Sequence, residues 1–97
     1  MENIVASSEY HPTSKLTTAY MSIFELAALI TTRAQEIEDG RGPEPIVDMN
    51  LCESPIDAAT LEIRSLKPED DYHLCIQRVL PTGQKEFWRV SEMFLPN

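Results

Sequence analysis

Four side chains in this 97-residue chain could bind a metal or act as nucleophile and base: His11, Cys52, His73 and Cys75. A structural zinc needs four N or S ligands, usually arriving in close pairs. His73 and Cys75 alternate on one face of a strand-like run, but no second pair lies near them in the sequence. No metal is expected, and Cys75 reads as a core residue. As nucleophile and base, a Cys–His pair would need a third, orienting group and an oxyanion hole. Nothing here resembles the sharp turn that would build one. Glu69, Asp70 and Asp71 sit in a polar turn and read as a solvated loop. With three glycines in all, the chain has no phosphate-cradling G-x-x-x-x-G-K-[ST] and no G-x-G-x-x-G. Neither an enzyme nor a cofactor is expected.

The remaining chemistry is that of recognition. Arg33 borders an apolar stripe. Its stem could snorkel along that surface, or its guanidinium could anchor a carboxylate or backbone across an interface. Trp88, the one tryptophan, could pack hairpin on helix or serve as an interface anchor. The residues alone leave both choices open.

The totals fit a protein that docks on other proteins. The chain makes one domain at most. A chain this short buries only roughly 60–65% of its unfolded surface. Two cysteines without paired spacing, with no secretory signal and no N-x-S/T sequon, fit a reducing compartment. The longest apolar run, Leu26 to Ile30, is far from the ~20 residues that span a bilayer. A formal charge of -8, from 16 acids and 8 bases, argues against gripping nucleic acid by its phosphates. It suits solubility, or docking on a basic protein surface.

These side chains must be positioned by few elements. Residues 1–16 are aperiodic and read as a flexible or extended arm. Ser22 and Glu25 spell a capping box that starts a first helix, and Met21 with Leu26 can close a hydrophobic staple. Gly40 ends it by accepting positive φ. At ~100° per residue, Ile23, Leu26, Ala27, Ile30, Ala34 and Ile37 form one stripe. Phe24 and Ala28 lie on a second side and Leu29 on a third. Only Glu25, Thr32 and Glu36 mark a polar strip. A helix apolar nearly all round is a buried helix, and a domain this small has little core to cover it.

Arg41 to Glu53 is a long aperiodic link, uncommon in a compact domain unless it lies along something. Its aliphatic residues Ile46, Val47, Met49 and Leu51 favour that. A second helix opens at Ser54 with Pro55 at its first position and Asp57 completing a weaker box. Ile56, Ala59, Ile63 and Leu66 share its inner face, and Pro68 stops it after Leu66 or Lys67. From Tyr72 the period becomes two: Tyr72, Leu74, Ile76 and Leu80 on one face, His73, Cys75, Gln77 and Val79 on the other. Pro81 to Gln84 is a turn, and Lys85 to Val90 returns as the partner strand. Ser91 to Asn97 reads as one short helical turn or a further extended piece. The expected class is α+β: two main helices joined by a long loop, then a C-terminal β-hairpin.

Taken together, these segments resemble the small subunit of multisubunit RNA polymerases: omega in bacteria, subunit K in archaea, the sixth shared subunit in eukaryotes. The archaeal and eukaryotic branch is most similar. "KLTTAYMSIFE", Lys15 to Glu25, resembles its opening segment. "TRAQEI", Thr32 to Ile37, carries its arginine–alanine pair at Arg33 and Ala34. "SPIDAATLEI", Ser54 to Ile63, resembles its second helix. "IQRVLPTGQKEFWRVSEM", Ile76 to Met93, resembles its closing hairpin, with Arg78, Leu80, Pro81, Gly83, Glu86, Trp88 and Glu92 in matching places. Three departures stand out. "SLKPEDDYH", Ser65 to His73, replaces a short basic link. Ser54 replaces an acid. The acidic N-terminal tail of many eukaryotic members is missing, so that tail's functions do not carry over. A short tail and a divergent link point to an archaeal, protist or large-DNA-virus polymerase.

The resemblance implies a single omega/K-like domain over residues 17–97, behind an arm at 1–16. It implies a non-catalytic polymerase subunit that binds the largest subunit, at its C-terminal region near the base of the clamp, and promotes assembly and stability. Other polymerase subunits complete the hetero-oligomer. No sequence-specific nucleic acid contact, membrane or cofactor is implied. Thr18, Tyr20, Met21, Phe24, Glu25, Arg33, Pro55, Arg78 and Trp88 are the implied partner-binding residues. The compartment would be the nucleus if eukaryotic, the cytoplasm if archaeal, and a viral factory or the virion if viral. A stand-alone helix–hairpin adaptor that homodimerises or binds a peptide is the alternative, since it would use the same apolar excess.

Overall fold

The computed structural model describes residues 4–7, 10, 11, 13 and 15–96. In chain order its main elements are β1 (Ile4–Ser7), α1 (Ile23–Asp39), α2 (Pro55–Arg64), β2 (Cys75–Val79) and β3 (Lys85–Arg89). Short 3-10 turns occupy Met49–Leu51 and Val90–Glu92. Two helices and a three-stranded antiparallel sheet make the chain α+β.

Helix α1 starts where its punctuation says. The Ser22 hydroxyl accepts the Glu25 amide at 3.0 Å, and the Glu25 carboxylate accepts the Ser22 amide at 2.9 Å. Gly40 closes the helix at φ 70°, a left-handed conformation that costs glycine nothing. The buried face differs from the expected stripe. It carries Glu25, Leu26, Leu29, Arg33 and Ala34, while Ile23, Phe24 and Ala27 are exposed. Leu29, placed on a third side by periodicity, is fully enclosed. The stripe is displaced because Glu25 and Arg33 find charged partners and enter the interior, which a hydropathy pattern counts against them.

Helix α2 begins at Pro55 with the Ser54 hydroxyl accepting the Asp57 amide at 3.2 Å. The Asp57 carboxylate reaches back to the Glu53 amide at 3.2 Å, one residue beyond the Ser54 amide that a capping box would use. Its buried residues are Ala58, Ala59, Glu62 and Ile63, and Ile56 faces outward. The helix ends at Arg64, earlier than Pro68 alone predicts. The Ser65 hydroxyl turns back onto the Leu61 carbonyl at 2.5 Å, and Asp70 takes the Lys67 amide at 2.8 Å. Both bonds compete with further helix.

Strands β2 and β3 form the expected hairpin, with Ile76 opposite Trp88 and Arg78 opposite Glu86. Gly83 turns it at φ 90°, and Leu80 donates to the Gln84 carbonyl at 2.8 Å. Within the expected N-terminal arm, Ile4–Ser7 is a strand, pairing antiparallel with the other edge of β2. Residues 1–3, 8, 9, 12, 14 and 97 lie outside the described residues. Beyond β3, the chain returns beside the start of α1. Phe94 donates to the Ala19 carbonyl and accepts from the Met21 amide, at 2.9 and 2.8 Å.

One core holds these pieces together: Met21, Leu26, Leu29, Ile63, Leu74, Ile76, Trp88, Val90 and Met93. It lies between the two helices and the Ile76–Trp88 face of the sheet. The opposite face is covered at Phe87 by the rings of Tyr10 and His11, both edge-on. Among the described residues, no helix is long and apolar enough to cross a membrane.

Candidate protein-interaction site

Two buried ionic networks shape the surface of this chain. The first ties Leu16 to Tyr20 onto the hairpin. Glu86 is buried, and its carboxylate accepts from the Leu16 amide at 2.6 Å, the Trp88 indole at 2.7 Å and the Thr17 amide at 3.3 Å. The Thr17 hydroxyl donates to it as well. Burial alone would raise the Glu86 carboxyl's pKa, but these donors hold it below the usual 4.5. Beside it, Arg78 forks onto Glu25, Nε to Oε2 at 2.6 Å and Nη2 to Oε1 at 2.9 Å. The same guanidinium donates to the carbonyls of Thr18 at 2.6 Å and Tyr20 at 3.2 Å, and to the Thr17 hydroxyl at 2.6 Å. Burial pushes Glu25 up, and the bonds from Arg78 and the Ser22 amide bring it below the usual range.

The result is a chain segment pinned by several bonds at the N-terminus of α1, where Tyr20 and Phe24 face outward. Phe24 is 77% exposed and Tyr20 67%. Ile23 and Phe94 are nearly as exposed, and the Tyr20 and Phe94 rings pack with centroids 5.1 Å apart. Three aromatic rings and an isoleucine around one helix start form an apolar patch in water, which marks an interaction site more often than chance. Aromatic anchors dominate binding energy at interfaces.

The second network pins the long link to the helices. Arg33 and Glu62 are each 1% exposed and meet at 2.7 Å, Nε to Oε2, with Nη2 to Oε1 at 3.2 Å. Arg33 also donates to Glu36 at 3.1 Å and to the Pro43 carbonyl at 2.8 Å. Glu62 accepts from the Ile46 amide at 3.1 Å and from the Tyr72 hydroxyl. Burial raises the Glu62 carboxyl, and Arg33 and Tyr72 bring it below the ordinary value. Burial, then Glu62, pushes the Tyr72 phenol well up, so it stays a donor. His73 Nε2 lies 2.7 Å from Glu36 Oε1 and completes the group.

The nine residues implied as partner contacts therefore divide. Thr18, Tyr20 and Phe24 are exposed, and Pro55 and Arg78 are half-buried. Met21, Glu25, Arg33 and Trp88 are buried within the chain. Arg33 neither snorkels nor borders an open face, because Glu62 gives its charge an internal partner. Trp88 packs in the core, flanked by the Arg78 and Lys15 cations at 5.7 and 5.4 Å from its ring. Ile23 and Phe94 belong to the exposed patch and were not read as contacts from sequence. Their signal was present: Ile23 sits beside Phe24, and Phe94 is an apolar residue near the end of a short chain. Among the described residues, no three His, Cys, Asp or Glu side chains converge as metal ligands.

Compared with known families, the chain matches the RNA polymerase Rpb6 model over residues 15–65, more than half its length. That span contains α1, α2 and the link between them, together with the Tyr20–Phe24 patch and the Arg33–Glu62 pair. No curated protein matches.

Proposed function

The chain belongs to the RNA polymerase Rpb6 family and so is an RNA polymerase subunit, and from that premise we propose that it is a non-catalytic one that binds the largest subunit. Its role in this reading is to promote assembly and stability of the transcription complex, as part of a hetero-oligomer and without a cofactor. Residues 17–97 are the working domain and the first sixteen its arm. The docking place on the partner is the C-terminal region near the clamp base. The compartment follows the polymerase: nucleus, cytoplasm, or viral factory and virion.

The observation that carries this is the exposed patch of Tyr20, Ile23, Phe24 and Phe94. Tyr20, Ile23 and Phe24 come from the matched segment, Phe94 joins them from beyond it, and buried charge holds the backbone beneath. Thr18, Tyr20 and Phe24 are the direct contacts, with Pro55 and Arg78 at the margin. Met21, Glu25 and Trp88 act from inside, by fixing the backbone that presents them, and Arg33 by holding the link between α1 and α2. A partner that recognises only this folded arrangement stabilises it by mass action. A subunit that latches distant segments of a large chain also lowers the entropy cost of ordering them.

The test is co-purification of the chain with the largest subunit of its own polymerase. Tyr20→Ala with Phe24→Ala should abolish it while leaving the free chain folded. A chain that stays monodisperse without affinity for that subunit overturns the reading. A tight homodimer in light scattering, formed without polymerase subunits, would favour the adaptor.

A further inference from the structure

The α1 patch is too small to hold a large partner by itself. Three rings and an isoleucine, each already partly covered, can bury roughly 550 Å² more, whereas a stable interface takes about 800 Å² from each side. We propose that the link and the first turn of α2, from Glu44 to Asp57, form a second docking face, built for a basic amphipathic segment of a polymerase subunit. The inference rests on the subunit reading for the partner's identity, and on the link itself for the partner's chemistry.

The backbone of this stretch is held at several points, yet Ile46, Met49, Leu51 and Ile56 point outward. Its backbone is anchored at the Pro43 carbonyl and the Ile46 amide by the buried Arg33–Glu62 pair. Asp48 caps the 3-10 turn through the Asn50 amide at 2.9 Å, and the Cys52 amide closes that turn on the Met49 carbonyl at 3.2 Å. Despite this, Leu51 is 79% exposed, and Ile46, Met49 and Ile56 are exposed too. A loop held only to connect two helices would show polar side chains. This one spends buried charge on a fixed shape and then offers aliphatic groups to solvent.

The interleaved charges select the occupant. Glu44, Asp48, Glu53 and Asp57 are all exposed, and no Lys, Arg or His lies between Glu44 and Asp57. Arg41, just before the face, pairs with Asp39 at 3.2 Å. Nucleic acid and anionic lipid would be repelled, and a second copy would bring the same acidic face in a chain of charge -8. A segment alternating Lys or Arg with apolar residues satisfies both components.

Photo-crosslinking in the complex of the full chain with the largest subunit tests this. A photoreactive phenylalanine is placed by Leu51→p-benzoylphenylalanine and, separately, by Phe24→p-benzoylphenylalanine. The expected result is adducts from both, with the Leu51 adduct mapping to a Lys/Arg-rich segment containing aliphatic residues. In parallel, Glu44→Gln with Glu53→Gln should weaken association about threefold to tenfold at low salt and flatten its salt dependence, as loss of a complementary charge does. A Leu51 adduct in a neutral or acidic segment, or an unchanged salt dependence, overturns the inference. Phe24 adducts without Leu51 adducts overturn it too and leave the subunit reading standing. No adducts from either position overturn both.

Discussion

Arg33 and Glu62 join α1 to α2 by a forked ion pair in the interior, at 2.7 and 3.2 Å, and the same two side chains hold the Pro43 carbonyl and the Ile46 amide of the intervening link. One buried pair thus fixes two helices and the loop between them. Arg33→Ala should accordingly destabilise the free chain by about 3–5 kcal/mol, the usual cost of leaving one member of a buried pair uncompensated. Thermal or urea unfolding checks it. Replacing both, Arg33→Met with Glu62→Leu, should cost less than either charge removed alone, because neither member of the pair is then left buried without the other, and Glu36, which loses Arg33, keeps His73 Nε2 at 2.7 Å.

The sequence leaves Arg33 open between a snorkelling stem and an interface anchor, with the family resemblance implying a partner contact, whereas in the fold its side chain is buried on Glu62. The reason is physical. Local signals were legible: Ser22, Glu25 and Gly40 mark α1 because a cap and its partner lie within a few residues of each other. The hairpin was legible because alternation and a Pro-x-Gly turn are also local. The buried face of α1 was not, since the partners that admit Glu25 and Arg33 to the core are Arg78 and Glu62, distant in sequence. Strand β1 was unread for a similar reason, as four residues acquire strand identity only from the β2 edge they meet.

Acid should unfold the chain through its carboxylates. Glu25, Glu62 and Glu86 all titrate below 4.5 in the fold, because donors outweigh burial at each. The unfolded chain therefore binds more protons near that pH, so stability rises with pH there. Their contribution is fully present above about pH 5 and is lost as pH falls through the depressed values. Tyr72 acts at the other end. Its raised pKa means that stability is lost as pH rises beyond the ordinary 10.0. Urea midpoints measured across pH should give a plateau that declines at both ends. Glu62→Gln should shrink the acid decline.

The two left-handed glycines of the link's start are unequal. A Cβ at Gly40 meets nothing within 4 Å, so Gly40→Ala should cost only the left-handed backbone, about 1–2 kcal/mol. A Cβ at Gly42 would come within 3.0 Å of Glu36 Oε1 and 3.2 Å of Arg33 Nη1. Gly42→Ala should therefore cost more than Gly40→Ala, and it should loosen the link. Hydrogen exchange at the Ile46 amide reads that loosening directly.

Surface and interior should separate cleanly in binding. Phe24→Ala removes an exposed ring and should leave the unfolding midpoint within about 0.5 kcal/mol of the parent. Its affinity for the largest subunit should fall by about 1–3 kcal/mol, roughly fivefold to 150-fold. Arg78→Ala should lower both, because Arg78 holds the carbonyls of Thr18 and Tyr20 as well as Glu25. Titration calorimetry beside thermal unfolding distinguishes the two variants.

The most direct measurement is light scattering coupled to size exclusion, on the 11.0 kDa chain mixed with the largest polymerase subunit. A stable one-to-one complex should form, and Tyr20→Ala with Phe24→Ala should disperse it. A chain that elutes at its own mass, or at twice that mass, with the largest subunit present and unbound would contradict it.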